Sequence, residues 1–284
     1  ITLTVRDCIS VVSQIQEMLT QQAELDVWNS VICNELDRKA DRFGFGGVPS
    51  SLLTPLANWT LSTKATVLSF DVIALPVILA CKKIKTTVVT QSPRIAGLWD
   101  LIASMSGLPI CSKVVDDLSC LENYFSEQTE PSTAFLLPPW MMRMDGGRED
   151  FACSLLKLAL KKVFARVITL LPTGYSFLLR PDVVQFRRIA VESQRLSALV
   201  ELPDNSLYFT GFGSFVFLFD GIERKTDHVT MIDCKSEDFF ARPLRRRMRV
   251  ITQKGEELLA AVGSHGHIAA RHRDVSFEAV SYTH

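Results

Sequence analysis

The run Ala134-Phe135-Leu136-Leu137-Pro138-Pro139-Trp140 sets two proline rings and an indole directly after a short apolar stretch. Proline fixes φ and removes a backbone donor, and an indole offers a flat face for stacking. The residue ahead of the prolines is Leu137, whose side chain packs but accepts no hydrogen bond. The other chemistry-bearing clusters are weaker. Arg242, Arg245, Arg246, Arg247, Arg249 and Lys254 form a dense basic run with no acid among them. Such a run can meet phosphates in a salt-dependent way, meet an acidic partner, or simply be solvated. His265, His267 and His272 have no carboxylate or cysteine between them, which favours a polar loop over a metal site. Ser154, Ser176 and Ser193 lie outside any Gly-x-Ser-x-Gly context, and the glycines around Ser264 lack a phosphate-loop lysine.

These residues need a scaffold, and the composition supplies one. Of 284 residues, 47% are hydrophobic and 22% charged, enough for one large domain with a substantial core. Lys plus Arg and Asp plus Glu are both 31, so no whole-molecule field draws the chain to nucleic acid and any such contact needs a local patch. Seven scattered cysteines, without a Cys-x-x-Cys pair, fit a reduced cytoplasmic protein rather than a zinc or disulfide framework. The longest apolar run, 72–81, is too short to span a bilayer and contains Pro76. The chain opens on Ile1 rather than Met, as expected of a processed or trimmed chain.

Apolar spacing predicts two helices within 4–42, a turn-rich linker at 43–49, and a helix over 51–61 in which Pro55 is tolerable only near the first turn. From residue 65 onward, strands alternate with helices. Strands are expected at 65–70, 86–90, 110–115, 133–137, 166–171 and 196–202, and helices at 77–83, 94–106, 149–164 and 181–193. The last two strands, 214–220 and 228–233, are separated only by a short polar segment, which predicts a hairpin. This pattern implies an α/β fold with a doubly wound, mostly parallel sheet and an antiparallel edge strand, preceded by a small helical region. The expected divisions are a helical N-terminal region (1–43), the α/β domain (44–235) and a basic C-terminal extension (236–284). In such a sheet the turns after the strands' carboxyl ends carry the chemistry.

Taken in order, several segments resemble the modification subunit of type I restriction–modification systems, an adenine-N6 DNA methyltransferase family. Gly44-Phe45-Gly46-Gly47-Val48-Pro49 stands where that family opens with Gly-x-x-x-Thr-Pro. Val67-Leu68-Ser69-Phe70-Asp71 stands in place of a strand that ends in Val-Leu-Asp-Pro. Asp116-Asp117-Leu118 sits where the family has Gly-Asp-(Thr/Ser)-Leu. Arg166-Val167-Ile168-Thr169-Leu170-Leu171-Pro172-Thr173-Gly174 resembles Ala-Val-Val-Leu-Pro-Asn-Gly. Tyr208-Phe209-Thr210-Gly211-Phe212-Gly213-Ser214 resembles Phe-x-x-Thr-Gly-Ile-x-Thr. The resemblance covers roughly residues 44–284 and implies a Rossmann-like methyltransferase fold.

The resemblance also assigns sites, and this chain departs from them. In the family the residue before Pro-Pro-aromatic is Asn, Asp or Ser, whose oxygen accepts from the amine of a flipped base; here it is Leu137, followed by Pro138, Pro139 and Trp140. The family's S-adenosylmethionine loop is glycine-rich and flanked by acids that hold the cofactor. The corresponding positions here are Ser69, Asp71, Ala74, Thr90 and Asp117, with Ile73, Leu75 and Pro76 in place of the glycines. The expectation is a catalytically degenerate homologue that needs no cofactor and binds DNA, through Arg245, Arg246, Arg247 and Arg249, or a specificity or methyltransferase partner subunit, with no membrane role. One alternative is an active S-adenosylmethionine-dependent adenine-N6 methyltransferase using Asp71 or Asp117. The other is a protein-interaction scaffold with no DNA role.

Overall fold

The computed structural model describes Cys33 and residues 47–69, 73–140, 142–144, 149–162, 164–208, 210–243 and 248–264, together with the backbone of 272–276. Apart from Cys33, the predicted N-terminal helical region lies outside the described residues.

The predicted alternation forms a nine-stranded sheet. The strands are β1 (Lys64–Ser69), β2 (Lys85–Thr90), β3 (Ile110–Val114), β4 (Thr133–Leu137), β5 (Arg166–Pro172), β6 (Leu196–Leu202), β7 (Ser214–Asp220), β8 (His228–Asp233) and, near the end of the chain, β11 (His272–Ser276). Two further short strands, β9 (Phe240–Ala241) and β10 (Val250–Ile251), pair only with each other. The order across the sheet is β3-β2-β1-β4-β5-β7-β6-β8-β11. The neighbours from β3 through β5, and the pair β6–β8, run parallel. β7 is antiparallel to both β5 and β6, and β11 is antiparallel to β8 at the edge.

The α/β class is as expected, but the predicted hairpin between 214–220 and 228–233 does not form, and the antiparallel edge strand is instead β11, from the segment expected as a basic C-terminal extension. β7 inserts between β5 and β6, and the chain then crosses over β6 so that β8 pairs on its far side. With six of its seven residues buried, β7 has the burial of a central strand rather than an edge.

Among the described residues seven helices cover the sheet: α1 (Ser50–Ala57), α2 (Leu75–Cys81), α3 (Pro93–Ser106), α4 (Leu118–Glu127), α5 (Phe151–Leu160), α6 (Pro181–Glu192) and α7 (Gln253–Gly263). Strand periodicity sends alternate side chains to opposite faces. Val67, Ile168, Leu170, Val216 and Leu218 join one core with residues of α1, α2, α3 and α7. Leu68, Val167, Leu171, Phe217 and Phe219 join a second core with α4, α5 and α6. This is the doubly wound arrangement. Pro55 sits late in α1 rather than in its first turn, and the helix ends two residues beyond it. Helices α4 and α7 are additions to the predicted set. α4 starts at the N-cap Asp117 and buries Leu121, Tyr124 and Phe125.

One cluster of buried charge lies at the amino end of β5. Buried Arg166 donates from Nε to Asp220 Oδ1 (3.1 Å) and from Nη1 to the carbonyls of Trp59 (2.9 Å) and Gly263 (2.8 Å). Arg195 donates to the carbonyls of Asp220 (2.7 Å) and Leu160 (2.7 Å). Burial pushes the Arg195 guanidinium down to about 10. These two arginines fasten the ends of α1, α5, β7 and α7 together, at the end of the sheet opposite the carboxyl ends of β1 and β4.

Candidate functional site

Strand order reverses between β1 and β4, since β1 is followed on one side by β2 and on the other by β4. A parallel sheet opens a crevice at the carboxyl ends of its strands at such a point. A cleft of about 300 Å³ lies there, lined by Gly47, Val48, Ser69, Ile73, Leu137, Pro138, Pro139, Trp140, Leu170, Leu207, Tyr208 and Thr210. That volume is at the lower end for small-molecule sites, which run from about 300 to 1,000 Å³.

The pairing register explains its floor. Ser69 ends β1, Leu137 ends β4, and the two are Cα partners on adjacent strands. Pro138, Pro139 and Trp140 continue from Leu137 as the side wall. Trp140 is half-buried against the first core, and its Nε1 donates to the Leu170 carbonyl on β5 (3.2 Å). The indole nitrogen is thus fixed to the sheet, and Trp140 lines the cleft. The opposite wall joins two segments far apart in sequence: the Tyr208 N–H donates to the Gly47 carbonyl (2.8 Å). Gly47 holds a positive φ of 49°, the left-handed region that glycine adopts without strain. Thr210 Oγ1 accepts from the Phe212 N–H (3.0 Å).

Of the predicted cofactor residues that are described, only Ser69 reaches this lining. Ala74 is buried as the N-cap of α2, its carbonyl accepting from the Val77 and Ile78 N–H groups (3.1 Å each). Its neighbour Ile73 lines the cleft instead, and Pro76 lies in the first turn of α2 without an N–H to offer. Thr90 is fully buried at the end of β2, its Oγ1 accepting from the Ser92 N–H (3.2 Å). Asp117 caps α4: its Oδ1 accepts from the Cys120 N–H and the Ser119 hydroxyl (2.7 Å each). The Cys120 backbone N–H, followed by the Ser119 hydroxyl, holds this carboxyl below its usual value. Asp71 lies outside the described residues. The described lining therefore contains no carboxylate.

The basic run is only partly described. Arg245, Arg246 and Arg247 lie outside the described residues, as do the side chains of His265, His267 and His272. Arg249 turns inward: its N–H donates to the Asn205 carbonyl (2.7 Å) and its Nη1 to the Phe240 carbonyl (3.3 Å). Its observed role is to tie β9 to the β6–β7 connection. No group of three metal-ligating side chains occurs among the described residues, and no described helix is long and apolar enough to cross a membrane.

Sequence reasoning left out Gly47, Val48, Leu170, Leu207, Tyr208 and Thr210 as lining residues. The signal was present, because the segments around Gly47 and Tyr208 both carry the family resemblance; a backbone hydrogen bond from Tyr208 to Gly47 joins them. A buried network behind the Pro-Pro-Trp turn was also missed. Asp150 Oδ1 accepts from the Tyr175 hydroxyl (2.8 Å) and the Ala152 N–H (3.0 Å), and Oδ2 accepts from Arg180 Nη2 (2.9 Å). Arg180 Nε also donates to Asp182 Oδ1 (2.7 Å). Burial raises the Asp182 carboxyl, but hydrogen bonds from Arg180 and the Asp150 N–H outweigh it and leave it lowered. The neighbouring Cys153 thiol is pushed up to about 12 by burial, so it is a packing residue and not a nucleophile.

No protein-family model matches the sequence, and no curated protein matches it. Solved structures do match. A structure of the type I restriction–modification system aligns with a TM-score of 0.68 at 14% identity, covering 90% of this chain and 61% of that one. The type I restriction–modification methyltransferase subunit from Streptococcus thermophilus aligns with a TM-score of 0.61 at 16% identity, covering 81% of this chain and 55% of that one. A class I S-adenosylmethionine-dependent methyltransferase from Listeria monocytogenes, itself assigned as such only provisionally, aligns with a TM-score of 0.56 at 10% identity, covering 76% of each chain. The fold is that of type I restriction–modification methyltransferase subunits, within the Rossmann-like methyltransferase architecture. The chain spans 55% to 61% of the two restriction–modification chains it matches here.

Proposed function

We propose that this chain is a catalytically silent homologue of the adenine-N6 modification subunits, acting by binding DNA or a restriction–modification partner subunit in the cytoplasm. The observation that carries this reading is the make-up of the switch-point cleft. S-adenosylmethionine brings a sulfonium and an ammonium group into its site, and a methylated amine needs an oriented acceptor. The described lining gives the first no carboxylate and the second only Leu137. Ile73 fills ground where a glycine would let a cofactor approach the backbone, and Pro76 withdraws an N–H from the start of α2. The described residues do not fit this cofactor. An acceptor missing at the reacting amine commonly costs on the order of a hundredfold or more in rate. What the turn keeps is its stacking face, Pro138, Pro139 and Trp140, together with the basic residues Arg245, Arg246 and Arg247 in the sequence.

The test is a methyl-transfer assay with labelled S-adenosylmethionine and mixed-sequence duplex DNA, run beside a DNA-binding titration at several salt concentrations. No label should enter the DNA. Binding, where present, should weaken with salt and weaken further on replacing Arg245, Arg246 and Arg247 with Ala. Label incorporated in proportion to protein, and abolished by Trp140→Ala, would establish an active methyltransferase instead.

A further inference from the structure

The switch-point cleft is uncharged as well as small. Its described lining holds no cation and no carboxylate, and its volume, about 300 Å³, is at the lower limit for a ligand site. Rings dominate one wall: two prolyl rings and the Trp140 indole, whose Nε1 is fixed to the Leu170 carbonyl (3.2 Å). Such a slot suits a flat, neutral occupant. Among the parts of DNA that describes a base and excludes a phosphate.

Positive charge adjoins the cleft without entering it. The connection between β6 and β7 supplies Leu207, Tyr208 and Thr210 to the lining. The same connection is tied to Arg249, whose N–H donates to the Asn205 carbonyl (2.7 Å). Arg249 belongs to the basic run that opens at exposed Arg242, so the run is anchored to the segment that forms one wall.

Leu137 decides which base the cleft favours. An exocyclic amine carries two hydrogens. Pro138 and Pro139 have carbonyls but no N–H, so the backbone of the turn offers acceptors alone. The side chain ahead of them offers none: Leu137 packs against the first core and presents carbon to the cleft. Ser69, its partner on β1, is only 3% exposed and leaves little of its hydroxyl to a ligand. An amine hydrogen directed at Leu137 is buried unpaired, whereas a methyl group in its place meets carbon. We propose that the cleft receives a base whose exocyclic amine is already methylated, N6-methyladenine or N4-methylcytosine, so that this chain reads a methyl mark instead of writing one. The proposal rests on the DNA-binding reading above and gives it a ligand. Burying one methyl group contributes about fourfold in affinity, and removing one buried, unpaired amine hydrogen about fivefold, together about twentyfold.

Fluorescence anisotropy of the full chain with labelled duplexes tests this. Each duplex presents one base opposite an abasic position, so that no pair has to open: adenine or N6-methyladenine in one set, cytosine or N4-methylcytosine in the other. The methylated member of at least one set should bind about twentyfold tighter, and the set that responds identifies the base. Trp140→Ala should weaken both members alike, by about fivefold or more, through lost stacking. Leu137→Asn, or Leu137→Ser where Asn does not fold, supplies an acceptor and should remove the preference, while Leu137→Met should keep it; thermal melts check that each variant is folded. Equal binding within both sets overturns the proposal and leaves DNA binding standing. A preference that persists unchanged in a folded Leu137→Asn or Leu137→Ser variant also overturns it. Binding of no duplex overturns the proposal and the DNA-binding reading together.

Discussion

Adding S-adenosylmethionine should leave the melting temperature of this protein unchanged. A ligand that binds only the native state stabilises it by RT ln(1 + [L]/Kd), about 2.7 kcal/mol at a hundredfold excess over Kd. At about 2–4 °C per kcal/mol for domains of 150–250 residues, a working site with micromolar affinity would raise the transition by roughly 5–11 °C under that excess. The structure argues for none of that gain. Ala74 and Leu75 are packed in the core at the start of α2, Ile73 projects into the cleft, and the described lining holds no acid to meet two positive charges. Thr90 and Asp117, where the family resemblance places further cofactor contacts, are committed to a turn and a helix cap. The assay is differential scanning fluorimetry with and without millimolar cofactor, with S-adenosylhomocysteine as a second ligand lacking the sulfonium charge. A rise of several degrees with the charged cofactor, repeated in calorimetric titration, would refute the reasoning and require a counter-charge, with Asp71 the first candidate.

Gly263→Ala should lower stability by about 3 kcal/mol, combining overpacking with a lost hydrogen bond. A Cβ at 263 would overlap the buried Trp59 indole, whose Nε1 donates to the Leu259 carbonyl (2.6 Å); a melt within a degree of wild type would mean that α7 is not seated on Trp59. Arg180→Met should cost about 3 kcal/mol by leaving buried carboxylates without their cation. The pH sign follows from Asp182, whose folded-state carboxyl is lowered: its contribution is present above the ordinary value near 4 and is lost as pH falls through the lowered one. Wild type should therefore lose stability only below about pH 4, and Arg180→Met should begin to lose it at higher pH; identical acid-unfolding profiles would contradict this. Trp140→Phe removes the donor to Leu170 while keeping a ring at the cleft, and should cost about 1 kcal/mol, read as a shift in urea midpoint.

The sheet was legible in the sequence because its strands are buried on both faces. Runs such as 133–137, 196–202 and 214–220 are predominantly apolar and bounded by breaks, and the observed strands β4, β6 and β7 carry those same bounds. Pairing partners were less legible. Gly221-Ile222-Glu223-Arg224 reads locally as a hairpin turn, yet the connection crosses β6; whether a short polar segment reverses or crosses depends on which strand edge is already occupied. α4 was missed because Asp116 and Asp117 read as a ligand turn, although Leu121, Tyr124 and Phe125 carry helical spacing. At the candidate site, Leu137, Pro138, Pro139 and Trp140 converge as the turn predicts, joined by Ser69 through strand register. Ala74, Thr90 and Asp117 do not join them. A motif alignment conveys order along the chain, whereas a side chain's direction is set by helix starts and caps that form only in the folded structure.

The placement of β7 has a consequence for biogenesis. Strands β5 and β6 are both made before residue 214 leaves the ribosome, yet neither has its inner neighbour until β7 slides between them. Up to that moment β5 has one unpaired backbone edge and β6 has two, since β8 is made later still, and apolar residues beside them await Phe215, Phe217 and Phe219. A chain stopped before β7 would keep these edges open and be prone to aggregate, and β7 is the strand that closes the gap between β5 and β6.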